Sequence, residues 1–62
     1  MEQIGQAIKH RRTQLGINQQ TLADLASVGI NTVVSIERGT GNPSLATLQK
    51  ILDVLGLRID IV

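Results

Sequence analysis

The spacing of apolar residues between Gln19 and Ile36 constrains the fold of this chain more than any other feature. The apolar residues at helical spacing in that stretch are Leu22, Ala23, Ala26, Val28, Val33 and Ile36. Side chains three or four residues apart lie on one face of a helix, so these positions predict two short helices with a shared inner face. Two helices cross closely only where a small residue lies at the contact, and Ala23 is suited to that position. The outer side of the second helix then stays free for another contact.

Length and composition indicate one small aliphatic domain. The chain has 62 residues, and oligomerisation commonly adds stability to chains of this size. Cysteine is absent, which excludes disulfides and thiolate metal sites. Phe, Tyr and Trp are also absent, so the core must consist of Leu, Ile, Val and Ala. An aromatic platform that stacks the bases of single-stranded nucleic acid is excluded for the same reason.

The charged and apolar patterns exclude several classes of protein. No stretch approaches the ~20 apolar residues of a membrane span, and the acidic start Met1-Glu2 is unlike a signal peptide. We therefore expect a cytoplasmic protein without membrane association. The net charge is only +1, a weak indication of nucleic-acid binding, although four basic or titratable residues are consecutive at positions 9–12.

The inventory of reactive side chains does not favour an enzyme. The chain has one histidine, His10, which lies between basic residues and therefore suits neither a metal site nor a catalytic triad. No pair of carboxylates has an evident shared site. We expect no catalytic residue, no metal and no cofactor.

Capping and turn residues divide the chain into four predicted helices, at about 2–15, 19–27, 30–38 and 45–55. Asn18 and Ser44 are suited to cap helix starts, because their side-chain oxygens accept hydrogen bonds from free backbone N–H groups. Gly16 and Gly56 are typical residues just beyond a helix end. The predicted inward stripe of the fourth helix comprises Leu45, Leu48, Ile51, Leu52 and Leu55.

Two charged residues fall on inward-facing stripes. The stripe of the first helix comprises Ile4, Ile8, Arg12 and Leu15, and that of the third comprises Val33, Ile36 and Glu37. An unpaired buried charge is very costly, so we predict that Arg12 and Glu37 form a structural ion pair between these two helices. The alternative is that both side chains extend into solvent.

The last six residues, 57–62, alternate between apolar and polar until the final residue, which is the period of a half-buried strand. An isolated strand leaves backbone groups unpaired, so the predicted partner is the same strand of a second copy across a two-fold axis. The residues predicted for dimerisation are Leu57, Ile59 and Ile61. The alternative is an extension that lies on its own domain, with Leu57 and Ile59 packed inward.

Four segments carry a resemblance to a known family: R-R-T-Q-L-G-I-N-Q, L-A-D-L-A, S-I-E-R-G and N-P-S-L-A-T-L-Q-K-I-L-D-V-L-G. They resemble the Cro/repressor (Xre-type) helix-turn-helix regulators, from about Ile4 to Gly56. The resemblance implies an all-α fold, a compact four-helix lambda-repressor-like DNA-binding domain in residues 1–56 with a dimerisation strand in residues 57–62. The short ending resembles the HipB-type subgroup, which implies an antitoxin that represses its own operon and binds a HipA-type kinase toxin.

The sequence departs from the family pattern at two turns. Ser27 stands at the end of the second helix, where the family usually has Gly, and we expect Gly29 to relocate the turn. Thr40 follows Gly39 where a Lys is common, which removes a charge that would attract phosphate.

The outward face of the third helix is suited to read bases in a DNA major groove. An Asn amide can bond adenine at two edges, hydroxyl groups can donate or accept, and aliphatic side chains can contact a thymine methyl group. The predicted base-contacting residues are Ile30, Asn31, Thr32, Val34 and Ser35. The alternative for each is an ordinary solvated helix position.

Contacts to the DNA backbone are expected at the start of the second helix and after the third. Free N–H groups and the helix dipole attract phosphate at the first location, and the family resemblance adds the second. The residues predicted to contact the backbone are Asn18, Gln19, Arg38, Gly39, Thr40 and Asn42. Lys9 and Arg11 are weaker candidates, because a surface charge run commonly serves solubility alone.

The sequence therefore predicts a repressor that binds a palindromic operator as a homodimer. One copy has few cations, so useful affinity requires two half-sites. Within DNA binding, the alternative to the antitoxin is a stand-alone or phage-type repressor. The competing class is a protein-interaction module that uses the helix-turn-helix as a scaffold.

Overall fold

A computed structural model of the chain describes residues 2–58, which form four α-helices. They are α1 (Glu2–Gln14), α2 (Gln19–Ala26), α3 (Ile30–Arg38) and α4 (Leu45–Leu55). No strand lies within residues 2–58, so the prediction of an all-helical domain is confirmed for that range. The first two helices, α1 and α2, each pack against both α3 and α4.

Two polar side chains fix where α2 and α4 begin. The Asn18 Oδ1 accepts a hydrogen bond from the Thr21 backbone N–H at 2.8 Å. The Ser44 Oγ accepts one from the Thr47 N–H at 3.1 Å. Each bond satisfies a donor that the helix itself cannot pair, so these caps define the start of the two helices.

The core of the described residues is aliphatic and draws on all four helices. Its buried members are Ile8, Leu22, Ala23, Ala26, Val33, Ile36, Leu48, Ile51, Leu52 and Leu55. The inner face predicted for α2 and α3 is therefore present, with Ala23 fully buried. No polar or charged residue of the described range is classed with this core.

Three residues that the sequence predicts on inward stripes lie at the surface. Ile4, Leu15 and Leu45 are 37%, 44% and 70% exposed, so these predictions are wrong. On α1 the inward position belongs to Gly5, because an added Cβ there would overlap the Ile36 carbonyl oxygen. The missing side chain brings the two backbones together and leaves Ile4 beside the contact. Leu45 is the first residue of α4, ahead of the part that packs.

The turn between α2 and α3 does not shift to Gly29. Ser27 itself takes the left-handed conformation, with φ 57°, whereas Gly29 has an ordinary φ of −73° and caps α3. The Ser27 N–H donates to the Asp24 carbonyl and the Val28 N–H to the Ala23 carbonyl. This bonding pattern requires a left-handed residue at the end of α2, whichever side chain stands there.

Leu57 packs against the core of its own domain, which is the alternative to its predicted role in dimerisation. Gly56 ends α4 with φ 69°, and the Leu57 N–H donates to the Leu52 carbonyl at 2.9 Å. This turn directs the Leu57 side chain back onto the helices. Neither Leu57 nor Arg58 lies in a strand. The remainder of the predicted strand, residues 59–62 with Ile59 and Ile61, lies outside the described residues, and pairing across a dimer stays a prediction.

Candidate nucleic-acid interface

Glu37 anchors α3 to both helices that precede it. Its Oε2 accepts a hydrogen bond from the Arg12 Nε at 2.7 Å, and its Oε1 accepts from the Arg12 Nη2 at 3.0 Å. The Gln19 Nε2 donates to the same Oε1 at 3.1 Å. Three donors from α1 and α2 therefore converge on one carboxylate, which fixes the rotation of α3 about its own axis.

The ion pair lies almost entirely out of solvent. The Arg12 and Glu37 side chains are 12% and 3% exposed, and the remaining Arg12 Nη1 donates to the Ile17 carbonyl at 2.9 Å. The hydrogen bonds with Glu37 raise the pKa of Arg12 and its charge adds to this, while burial acts in the opposite direction. Because the pKa is higher in the folded chain, the stabilisation that comes from the titration of Arg12 is complete below the ordinary pKa of arginine and is lost as the pH rises through the higher pKa of the folded chain.

With Glu37 turned inward, the outer side of α3 carries polar residues. Asn31, Ser35 and Arg38 recur at spacings of four and three residues and form one stripe. Asn31 and Arg38 are exposed, and Thr32 and Ser35 are partly exposed. Within residues 2–58, no hydrogen bond engages the side chains of Asn31, Thr32 or Ser35. Their donors and acceptors are therefore available to another molecule.

An apolar pair flanks that stripe. Ile30 is 37% exposed and Val34, one turn later on the same side of α3, is half-buried. All five residues predicted to contact bases thus lie at least partly exposed on one helix face, with the amide and hydroxyl groups beside aliphatic ones.

A surface groove of about 300 Å³ lies between α3 and the loop that leads to α4. Its lining consists of Asn31, Thr32, Ser35, Ile36, Thr40, Gly41, Asn42 and Pro43. Three predicted base contacts and two predicted backbone contacts therefore share one concave surface. Gly41 and Pro43 also line the groove, and the sequence did not predict them as part of this surface. A loop has no periodicity that would indicate which of its residues face a neighbouring helix.

Four of the six predicted backbone contacts, including Thr40 of the groove, already make hydrogen bonds within the domain. The Asn18 side chain caps α2 and the Gln19 side chain binds Glu37. The Gly39 N–H donates to the Ile36 carbonyl, and the Thr40 N–H donates to the Ser35 carbonyl. At the start of α2, the unpaired backbone N–H groups of the first turn remain for a phosphate.

Positive charge at this face comes from Arg38, in the last turn of α3. Arg11 is not free in the same way, because its Nε donates to the Leu55 carbonyl at 3.0 Å and thereby caps α4.

Within the described range, no group of three His, Cys, Asp or Glu residues could hold a metal ion. None of the helices in residues 2–58 has the length and apolar character to cross a membrane.

A family model described as helix-turn-helix matches residues 8–62. The chain belongs to this family. Two relatives are described as regulators, one uncharacterized and one named as a repressor. A regulator from Haemophilus influenzae, described as an uncharacterized HTH-type transcriptional regulator, is 45% identical over 82% of this chain and 52% of its own length. The immunity repressor protein of Bacillus phage phi105 is 36% identical over 90% of this chain and 39% of its own length. The chain thus spans about half or less of these two proteins.

A solved structure agrees with the helix-turn-helix fold over most of both chains. The restriction-modification controller protein C.AhdI from Aeromonas hydrophila superposes with a TM-score of 0.85 and 33% sequence identity. The match covers 92% of this chain and 86% of that one. The four-helix arrangement therefore also accounts for most of that protein's length.

Proposed function

We propose that this helix-turn-helix protein is a sequence-specific DNA-binding repressor of transcription. The observation that carries the proposal is the outer face of α3, where Asn31, Thr32 and Ser35 have unused hydrogen-bonding groups while Glu37 holds the helix from behind. A rigid helix with free polar side chains is what major-groove reading requires. The description of the phage relative as an immunity repressor favours repression over activation.

The repressor binds as a homodimer to two half-sites. One domain presents few cations, since Arg12 is neutralised by Glu37 and Arg11 is bonded to Leu55. Phosphate contacts provide most of the affinity for DNA, so a single copy binds weakly and two linked copies bind much more tightly.

Fluorescence anisotropy tests this function with DNA from upstream of the gene and a scrambled duplex of the same composition. We expect at least ~10³-fold preference for the upstream DNA, and binding that weakens as salt is raised. Equal and weak binding to both duplexes would contradict the proposal and favour the protein-interaction module.

A pair of substitutions assigns the binding to α3. Asn31→Ala removes the exposed amide and is expected to cost about 1–3 kcal/mol of discrimination between operator and scramble. Gln49→Ala is the matched control, because it removes an exposed amide from α4, outside the groove. Equal effects of the two substitutions would show that α3 does not read the bases.

The antitoxin role stays a finer hypothesis within this proposal. Its support in this chain is the alternating sequence of residues 57–62. The first residue of that segment, Leu57, packs against the core of its own domain, which is the alternative to a role in dimerisation. The description of the phage immunity repressor instead supports the stand-alone or phage-type repressor. Co-purification with the product of an adjacent kinase gene would support the antitoxin role, and a neighbouring phage integrase gene would support the phage-type repressor.

A further inference from the structure

The first two turns of α3 expose a restricted set of chemical groups. Their exposed and partly exposed side chains carry one amide, two hydroxyl groups and two aliphatic groups, from Asn31, Thr32, Ser35, Ile30 and Val34. No Lys, Arg, Asp or Glu lies among residues 30–35. The charged residues of α3 are confined to its last turn, at Glu37 and Arg38.

The major groove presents a different pattern of groups for each base pair. Guanine is most often read by Arg or Lys at its O6 and N7, and the cytosine amino group is read by a carboxylate. Adenine is read by Asn or Gln at N6 and N7, and the thymine methyl group is read by aliphatic contact. The first two turns of α3 carry the readers of adenine and thymine, while their hydroxyl groups serve either pair.

The two charged side chains that hold α3 in place do not supply the missing readers. The Glu37 carboxylate is 3% exposed and accepts bonds from Arg12 and Gln19. The Arg12 guanidinium is committed to Glu37 and to the Ile17 carbonyl. These charges are fixed inside the domain, so they cannot turn outward without breaking the anchor of α3.

We propose that the operator base pairs beneath the first two turns of α3 are A·T pairs. Asn31 forms the paired hydrogen bonds with an adenine, and Ile30 contacts the methyl group of a neighbouring thymine. This inference rests on the proposed function, since it requires α3 to enter the major groove. It adds the class of DNA sequence that the site selects.

The first experiment is selection of bound duplexes from a randomised library with the purified protein. We expect A·T pairs to dominate the positions that the half-site requires. In the resulting operator, each thymine is then replaced in turn by deoxyuridine, which removes the methyl group and nothing else. At one thymine the replacement should weaken binding about fourfold, the effect of one buried methyl group.

A protein variant connects that effect to a side chain. In Ile30→Ala the deoxyuridine replacement should no longer change the affinity, because the contact is already lost. Leu25→Ala is the matched control: Leu25 is 60% exposed on α2 and does not line the groove, so this variant should keep the fourfold effect.

The outcomes separate this inference from the proposed function. A selected operator with G·C pairs at the required positions overturns the A·T assignment while specific binding stands. An A·T operator that is insensitive to deoxyuridine at every thymine overturns the proposed contact between Ile30 and a thymine methyl group. Recovery of no preferred sequence overturns both. An A·T operator whose methyl effect disappears only in Ile30→Ala supports the assignment.

Discussion

At the scale of single residues, Glu37 decides how α3 is held. Its carboxylate accepts three hydrogen bonds from Arg12 and Gln19, and these connect α3 to both α1 and α2. A buried ion pair of this kind is strongly destabilised when one partner is removed, because the other charge is left without compensation.

We expect Glu37→Gln to lower the free energy of unfolding by about 3–5 kcal/mol, because Arg12 loses its counter-charge. A domain of this size can have a total stability not far above that value. Urea denaturation followed by circular dichroism measures the change. Asp24→Asn, at an exposed carboxylate on α2, is the control and should shift the midpoint little. A native-like midpoint for Glu37→Gln would show that the pair adds little.

Gly5 is the second residue on which the packing depends. Its position against the Ile36 carbonyl leaves no room for a side chain. Gly5→Ala is expected to reduce stability by about 1–3 kcal/mol, because the helices must separate, even though Ala is the better helix former. The comparison is Gln6→Ala, an exposed neighbour on the same helix, measured by thermal melting. A higher melting temperature for Gly5→Ala would mean that α1 can move at little cost.

At the scale of helices, local sequence signals were sufficient for most boundaries. The caps at Asn18 and Ser44 and the left-handed ends at Gly39 and Gly56 depend only on residues within a few positions of one another. Chemistry of this range can be read directly from the sequence. The polar face of α3 was predictable for a related reason, since its periodicity separates inward from outward positions.

The wrong predictions concern how closely two helices approach each other, and a local sequence pattern holds no information on that distance. A stripe through Ile4 and Leu15 has the right period, but the closeness of α1 and α3 makes Gly5 the contact residue instead. A lone Gly inside a helical pattern is a signal of such a contact. Likewise, only the closed hydrogen bonds at the end of α2 show that Ser27 is the left-handed residue there.

The left-handed conformation of Ser27 predicts that a glycine at this position would stabilise the domain. A left-handed conformation is unfavourable for residues that have a Cβ, and Ser27 is exposed. We expect Ser27→Gly to raise the free energy of unfolding by about 0.5–1 kcal/mol, while Ser27→Ala stays near the original value. Chemical denaturation of both variants tests this. A loss of stability in the Gly variant would mean that the greater freedom of the unfolded chain outweighs the relief of strain.

At the scale of the whole molecule, size limits how the domain lies on DNA. The described part measures 30 Å along its longest direction. One helical turn of DNA is about 34 Å, so two copies fit side by side on one face of the duplex.

For the proposed homodimer we therefore expect half-site centres about 10 base pairs, or a multiple of that turn, apart. An insertion of about 5 base pairs between half-sites rotates one of them to the opposite face and should reduce binding to that of a single half-site. An insertion of about 10 base pairs is the control for added length, because it restores the facing. Anisotropy titrations with the three duplexes make the measurement, and equal affinity for all three would contradict binding as a linked pair.

The side chains that anchor α3 inward and those proposed to contact bases are separate sets. Glu37, Val33 and Ile36 hold the helix, while the side chains of Ile30, Asn31 and Ser35 are outside the buried core and make no hydrogen bond within residues 2–58. Substitutions in the second set can therefore accumulate without loss of the folded state. Descendants of one such gene can diverge to recognise different operators, and a designer can retarget the domain by exchanging three side chains on an unchanged scaffold.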